Sequence, residues 1–294
     1  MAMEFERKWI KVKNYRAELT GVFGDPVDAN PTGAMEEAAY EALGLPYRYL
    51  TMKVAAADLG AAFAGAKAIG MKGLNLTMPH KVAILPYLDE LTPAAALIGA
   101  VNTVLCRDGS WIGENTDGKG FVASLERAGI SLKGKRAAIL GAGGAARAIA
   151  VECALAGAGQ ITVINRSEDR GRELAGLIGS RTPAEASYLP WTAGVAVPSG
   201  TQLLIQATSI GLYPNAAQKP DIDYCSITPD MVVSDVVFQP AKTLFLQEAE
   251  RRGAAVITGI GMLVQQGALN FTLWTGQPAP VSLMYDVLSR ELEI

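Results

Sequence analysis

Residues 136–146 read Arg-Ala-Ala-Ile-Leu-Gly-Ala-Gly-Gly-Ala-Ala, an apolar run that ends in a glycine turn. The run has the length and composition of a buried strand, and Arg147-Ala-Ile-Ala150 opens a helix behind the turn. Gln160-Ile-Thr-Val-Ile164 supplies the next strand, completing a βαβ unit of about 30 residues. A glycine turn alone is weak, but strand before and helix after are the context that dinucleotide binding requires. Gly141 permits the tight turn and Gly143 lets the backbone approach a pyrophosphate; Ala146, in third place, is small enough for helix–strand packing. The helix N-terminus then offers free N–H groups to phosphate. The competing reading is a plain tight turn in an α/β sheet.

The end of the second strand bears on the choice of cofactor. NAD sites place an Asp or Glu there, whereas this chain has Asn165-Arg-Ser-Glu-Asp-Arg170. Arg166 and Arg170 would share a face if the segment is helical, and with the nearby hydroxyl of Ser167 they suit a 2′-phosphate. That favours NADP. The alternative is two solvated arginines paired with Glu168 or Asp169.

Outward from this unit, the chain alternates strand and helix. Strands are expected at 19–24, 46–52, 73–77, 202–206, 231–237 and 254–257, and helices at 33–43, 55–68, 262–274 and 281–292. The fold class is α/β with two domains: an N-terminal α/β substrate domain on a mostly parallel sheet, and a Rossmann-type doubly wound NADP domain. The expected boundaries make the first domain discontinuous, 1–116 with 253–294, around an inserted nucleotide domain at 117–252.

Composition narrows the classes. The chain has 294 residues, 50% hydrophobic and 19% charged, with net charge −3, which gives no electrostatic case for a nucleic-acid or anionic-membrane partner. Three scattered cysteines form no C-x-x-C pair, and the single histidine, His80, excludes a His-rich metal site. No metal is expected, and a reducing cytoplasmic location is the plain reading. The uncharged windows 186–218 and 253–285 carry prolines or central polar residues and read as buried segments rather than membrane spans. His80 reads as a packing or capping group.

Residues 71–81, Met-Lys-Gly-Leu-Asn-Leu-Thr-Met-Pro-His-Lys, and 114–118, Glu-Asn-Thr-Asp-Gly, bear the reactive groups. If the fold joins Lys81 to Asp117, the pair can move a proton on and off a hydroxyl. Beside a nicotinamide, that is the minimum equipment for oxidising an alcohol. A structural ion pair closing a cleft is the alternative.

Across residues 19–290 the chain resembles shikimate dehydrogenases. The resemblance rests on Asn75-Leu-Thr-Met-Pro-His-Lys81, Gly99-Ala-Val-Asn-Thr103, Asn115-Thr-Asp-Gly118, Gly141-Ala-Gly-Gly-Ala145, Asn165-Arg-Ser167, Ala207-Thr-Ser-Ile-Gly211 and Gly259-Ile-Gly-Met-Leu-Val-Gln-Gln266. It implies reversible hydride transfer between NADP and a ring hydroxyl of a cyclic polyhydroxy acid, as in 3-dehydroshikimate plus NADPH to shikimate plus NADP. Lys81 would be the acid/base, hydrogen-bonded to Asp117. Asn75, Thr77, Asn102 and Gln266 would hold ring hydroxyls. Gly141, Ala142, Gly143, Gly144, Ala145, Asn165, Arg166, Ser167, Arg170, Thr208, Ser209, Gly259 and Met262 would line the cofactor, with Met262 near the nicotinamide. The implied protein is a monomer or homodimer whose partner is a small molecule.

The chain departs from that family where the substrate carboxylate is gripped. The usual Ser-x-Ser pair is Asn30-Pro-Thr32, and a usual Tyr is Phe238. Losing a donor in a site built for one changes discrimination. The changes cluster on the substrate side, which suggests a paralogue preferring quinate or a related acid. A non-catalytic NADP-binding regulatory protein is a further reading, as is a two-domain dehydrogenase acting on a folate or an amino acid. The first eighteen residues extend past the family's usual start, suggesting an added strand or an oligomer contact.

Overall fold

The computed structural model describes residues 15–293, so most of the N-terminal extension lies outside the described residues. The first sheet contains β1 (Glu18–Gly24), β2 (Tyr47–Lys53), β3 (Gly73–Leu76), β4 (Glu90–Leu91), β5 (Thr103–Arg107) and β6 (Ser110–Glu114), in the order β2-β1-β3-β5-β6-β4. The helices of this half are α1 (Thr32–Ala42), α2 (Leu59–Ala68), the short α3 (His80–Ala83) and α4 (Pro93–Ile98). Strand alternation sends side chains to opposite faces. Leu74 and Leu76 pack with Phe23, Leu59, Phe63 and Trp111 on one side, which turns Asn75 to the other. There Tyr49 and Leu105 pack with Met35 and Tyr40 of α1.

The sheet is less parallel than expected. β1 pairs parallel with β2 and β3, but β3–β5 and β5–β6 are antiparallel. The turn of the β5–β6 hairpin is Asp108-Gly109, both with positive φ, 52° and 85°. Asp-Gly is a strong hairpin signal for that reason.

α5 (Thr116–Arg127) leads to the second half: β7 (Arg136–Leu140), α6 (Gly144–Leu155), β8 (Gln160–Asn165), α7 (Glu168–Arg181), β9 (Glu185–Pro190), β10 (Val195–Ala196), β11 (Leu203–Gln206), β12 (Ile222–Asp223), β13 (Val232–Asp235), α8 (Leu244–Arg251) and β14 (Ala255–Ile257). Its six-stranded sheet has the order β14-β13-β11-β7-β8-β9, and every neighbouring pair is parallel. This is the doubly wound Rossmann order, with its switch point between β7 and β11. Ala137 and Ile139 face one buried cluster, Ala138 and Leu140 the other. Burial on both faces explains the uninterrupted apolar run of β7.

α9 (Gly259–Thr275) and α10 (Val281–Glu291) return the chain to the first half, where Phe271, Trp274, Met284 and Leu288 join the core of α1. β14 corrects the expected boundary at 252/253. Residues 255–257 hydrogen-bond to β13 as the edge of the second sheet, so the crossing back to the first half falls after them.

Candidate active site

Between the two halves lies a cleft of about 520 Å³. It brings together Asn30, Thr32, Asn75, Thr77, Lys81, Asn102, Asp117, Ala145, Phe238, Gly259, Met262 and Gln266 from both halves of the chain.

At its centre Lys81 Nζ donates to Asp117 Oδ2 at 2.5 Å. The lysine side chain is 35% exposed and the aspartate 17%, so the pair faces the cleft rather than the core. Lys81 starts from α3, whose carbonyl at Lys81 accepts from Val101 N at 2.8 Å. Asp117 is in the first turn of α5, whose N-cap Asn115 accepts from Asp117 N at 3.2 Å. Two glycines let α5 sit where it does. A Cβ on Gly118 would lie 2.3 Å from Ala148 O of α6, and one on Gly120 would lie 2.7 Å from Gln266 N of α9. α5 is therefore wedged between the helix of the glycine turn and the helix that carries Gln266 and Met262.

Asn102 fixes the free side of the carboxylate. Its Nδ2 donates to Asp117 Oδ1 at 2.9 Å and to Thr116 Oγ1 at 3.0 Å, while its Oδ1 accepts from Thr116 N at 2.7 Å. Beneath it the network continues. Asn75 Nδ2 donates to Thr103 Oγ1 and to Asn102 O, and Asn75 Oδ1 accepts from Tyr49. Thr103 and Thr116 hydroxyls both donate to Asn270 Oδ1, and Asn270 Nδ2 donates to Gln266 Oε1. Asn75 and Gln266 line the cleft with amides already engaged on the protein side, Gln266 Nε2 donating to Leu263 O. Tyr49, Thr103, Thr116 and Asn270 were not singled out from sequence. Thr103 and Thr116 stand inside the segments quoted above, and Asn270 is one helical turn past Gln266.

His80 is fully buried and its Nε2 pairs with Val54 O at 2.8 Å, so it packs behind the lysine. Glu36, one turn along α1 from Thr32, is also fully buried, and neither carboxylate oxygen has a partner among the described residues. Burial raises its carboxyl well above the ordinary range.

The nucleotide side is built from backbone. Gly141 has φ 112°, a conformation that side chains disfavour, and its neighbour is the Thr208 methyl. A Cβ on Gly143 or Gly144 would meet nothing within 4 Å, so a ligand can come close to that backbone. No side chain caps α6, leaving its first-turn N–H groups for an anion. These features fit a dinucleotide pyrophosphate. Thr208 closes the facing turn, its Oγ1 accepting from Ile210 N. Past the strand ends, Arg166 and Ser209 line a second cavity of about 600 Å³ with Trp191 and Lys219.

The expected shared helical face of Arg166 and Arg170 needs correction, because α7 begins at Glu168 and Arg166 precedes it. Ser167 is the N-cap of that helix, accepting from Arg170 N. Asn165 Nδ2 pins the loop to Ser167 O. Among the described residues Glu168 pairs with Arg172, and neither Arg166 nor Arg170 has an ion pair. The two guanidinium groups fit a 2′-phosphate approached from a loop and a helix start. Among the described residues no group of three His, Cys, Asp or Glu side chains could hold a metal ion. Also among them, no helix is long and apolar enough to cross a membrane.

The sequence matches three family signatures in order. One, described as shikimate dehydrogenase substrate binding domain, covers residues 22–104; one described as shikimate / quinate 5-dehydrogenase covers 123–193. The third, the shikimate 5′-dehydrogenase C-terminal domain, covers 259–288. The shikimate dehydrogenase (NADP(+)) of Moorella thermoacetica is 46% identical over 93% of each chain. Among solved structures, the 5-ketofructose reductase of Gluconobacter sp. strain CHM43 is 46% identical, with TM-score 0.91, over 95% of this chain and all of that one. A shikimate dehydrogenase in complex with NADP+ is 36% identical, with TM-score 0.89, over 96% and 98%. With its Rossmann sheet, its N-terminal substrate half and these relatives, the chain belongs to the shikimate dehydrogenase family.

Proposed function

We propose that this protein is an NADP-dependent oxidoreductase that interconverts a CH–OH group and a carbonyl on a small polyhydroxylated substrate. The observation that carries the reading is that Lys81–Asp117 and Ala145, from the first turn of the nucleotide helix, line one cleft. The relatives' names offer two substrates, the alcohol shikimate and the ketone 5-ketofructose. The proposed boundaries assign residues up to 116 and from 259 onward to the substrate half.

The backbone N–H groups of α6 and the Arg166 and Arg170 side chains would hold NADP, which supplies or accepts the hydride when bound. Met262 and Gly259 form the apolar wall near the reacting centre. Lys81 Nζ gives a proton to the substrate oxygen as the carbonyl carbon is reduced, and takes it back in the reverse direction. Asp117 orients the amine, and Asn102 fixes Asp117. Thr77 and the engaged amides of Asn75 and Gln266 present a preorganised polar wall to the substrate's hydroxyls.

A steady-state screen tests the reading. NADPH is mixed with enzyme and 3-dehydroshikimate or 5-ketofructose, and NADP with shikimate or quinate. Turnover with at least one substrate, much faster with NADP(H) than with NAD(H), is expected. Tight NADP binding without turnover on any of them would favour a regulatory protein instead.

A further inference from the structure

We propose that the substrate end of this cleft selects an uncharged polyhydroxylated carbonyl compound over a carboxylate-bearing ring, with Asn30 and Thr32 setting the preference. The inference rests on the oxidoreductase reading above and concerns which substrate that site takes.

The charges lining the cleft point this way. Among the described residues Lys81 is its only cationic side chain, and Asp117 holds it at 2.5 Å. Asp28 lines the same wall, exposed and with no ion pair among the described residues. Lys53 pairs with Asp25 at 3.5 Å, outside the lining. Among the described residues, an incoming carboxylate would meet one free negative charge and no free positive one. Like-charge placement of this kind discriminates against an anion.

The start of α1 is the second observation. A helix N-terminus ordinarily attracts an anion through its free N–H groups. Here Asn30 Oδ1 accepts from Thr32 N at 2.9 Å, and Pro31 has no N–H to give. The amide oxygen of Asn30 thus occupies a donor that a carboxylate would otherwise use. With its oxygen engaged, Asn30 presents Nδ2 as a neutral donor, and Thr32 adds a hydroxyl. Such groups match substrate hydroxyls and carbonyls without a charge to neutralise.

The apolar lining is the third observation. Val22, Val27, Phe238 and Met262 border the cleft. Stripping water from a carboxylate against such a wall costs far more than stripping it from a hydroxyl. The chemistry balances as for any ketone reduction: the carbonyl carbon gains hydride from the nicotinamide donor. The oxygen gains the Lys81 proton, and solvent reprotonates the amine.

The test compares shikimate with its hydroxymethyl analogue, in which CH2OH replaces the carboxylate, as substrates with NADP. It also compares 5-ketofructose with 3-dehydroshikimate under NADPH. The uncharged member of each pair should have the higher kcat/KM, by about tenfold or more. The double variant Asn30→Ser, Thr32→Ser should move both ratios toward the acid by a similar factor. A wild-type preference for the acid in the shikimate pair overturns the proposal, whether or not the variant folds. Ratios unchanged in a folded variant overturn the assignment to Asn30 and Thr32. If no compound is turned over, the oxidoreductase reading fails separately, and calorimetric binding of the shikimate pair still decides the substrate class. Tighter binding of shikimate than of its hydroxymethyl analogue would then overturn it.

Discussion

The two ends of the cleft are made differently. The nucleotide end is a backbone structure: a positive-φ glycine, two glycines with open space above them and an uncapped helix start. The substrate end is a side-chain structure, in which Asn75, Asn102, Thr103, Thr116, Gln266 and Asn270 use most of their hydrogen bonds on one another. Backbone sites depend on a few residues that permit a conformation, and tolerate change elsewhere. Side-chain sites depend on every member of a network, because a buried donor left alone is costly. The substrate end is also where Asn30, Thr32 and Phe238 line the cleft.

The largest effect expected from breaking one end is at Asp117. Asp117→Asn keeps the shape but removes the charge beside Lys81, and kcat should fall about 10²- to 10³-fold. NADP affinity, measured by fluorescence titration, should hold, since that end is separate. At the other end, Arg166→Ala should weaken NADP about 10- to 100-fold, the worth of a charged hydrogen bond. NAD should be almost unaffected; equal weakening of both would remove Arg166 from the 2′-phosphate.

A third substitution separates architecture from chemistry. Asn270→Leu leaves the hydroxyls of Thr103 and Thr116 without their shared acceptor and should cost about 1–3 kcal/mol of stability. Thermal melting would show a loss of several degrees, and substrate KM should rise more than NADP KM. An unchanged melting temperature would mean that the network relaxes around the gap.

The smallest effect concerns pH. Asp235, at the end of β13, is buried, and burial raises its carboxyl from 3.8 to about 7, despite hydrogen bonds from Thr243 and Val237 that act the other way. A carboxyl that binds its proton more tightly when folded stabilises most below its unfolded value. That contribution is lost as pH rises from about 4 through about 7. Glu36 and Glu152 are shifted in the same direction by burial. Melting temperature should therefore fall between pH 5 and pH 8, and Asp235→Asn should flatten part of that slope. A wild-type curve that rises over this range would contradict the assignment.

The same contrast explains what was legible in the sequence. Residues 136–146 announce the nucleotide end because strand, turn and helix start are contiguous. Lys81 and Asp117 were legible as a pair only on the condition that the fold joins them, and the wedge of Gly118 and Gly120 supplies that condition. The network below them is not legible in the sequence, since Tyr49, Thr103, Thr116 and Asn270 are scattered over more than 200 residues and look ordinary in their own segments. Short strands blurred the rest. β14 has three residues beside a long helix, and only its pairing with β13 shows that it extends the second sheet. The β5–β6 hairpin carries a signal in Asp108-Gly109, but its short antiparallel strands break the strand–helix alternation of the rest of the chain.

The central claim is that the two ends meet at Lys81. Single-turnover oxidation of bound NADPH by a carbonyl substrate, followed at the nicotinamide absorbance in wild type and Lys81→Ala, tests it most directly. The account predicts unchanged NADPH affinity and a hydride-transfer rate lowered about 10²- to 10⁴-fold in the variant. A variant that oxidises NADPH at the wild-type rate would contradict it.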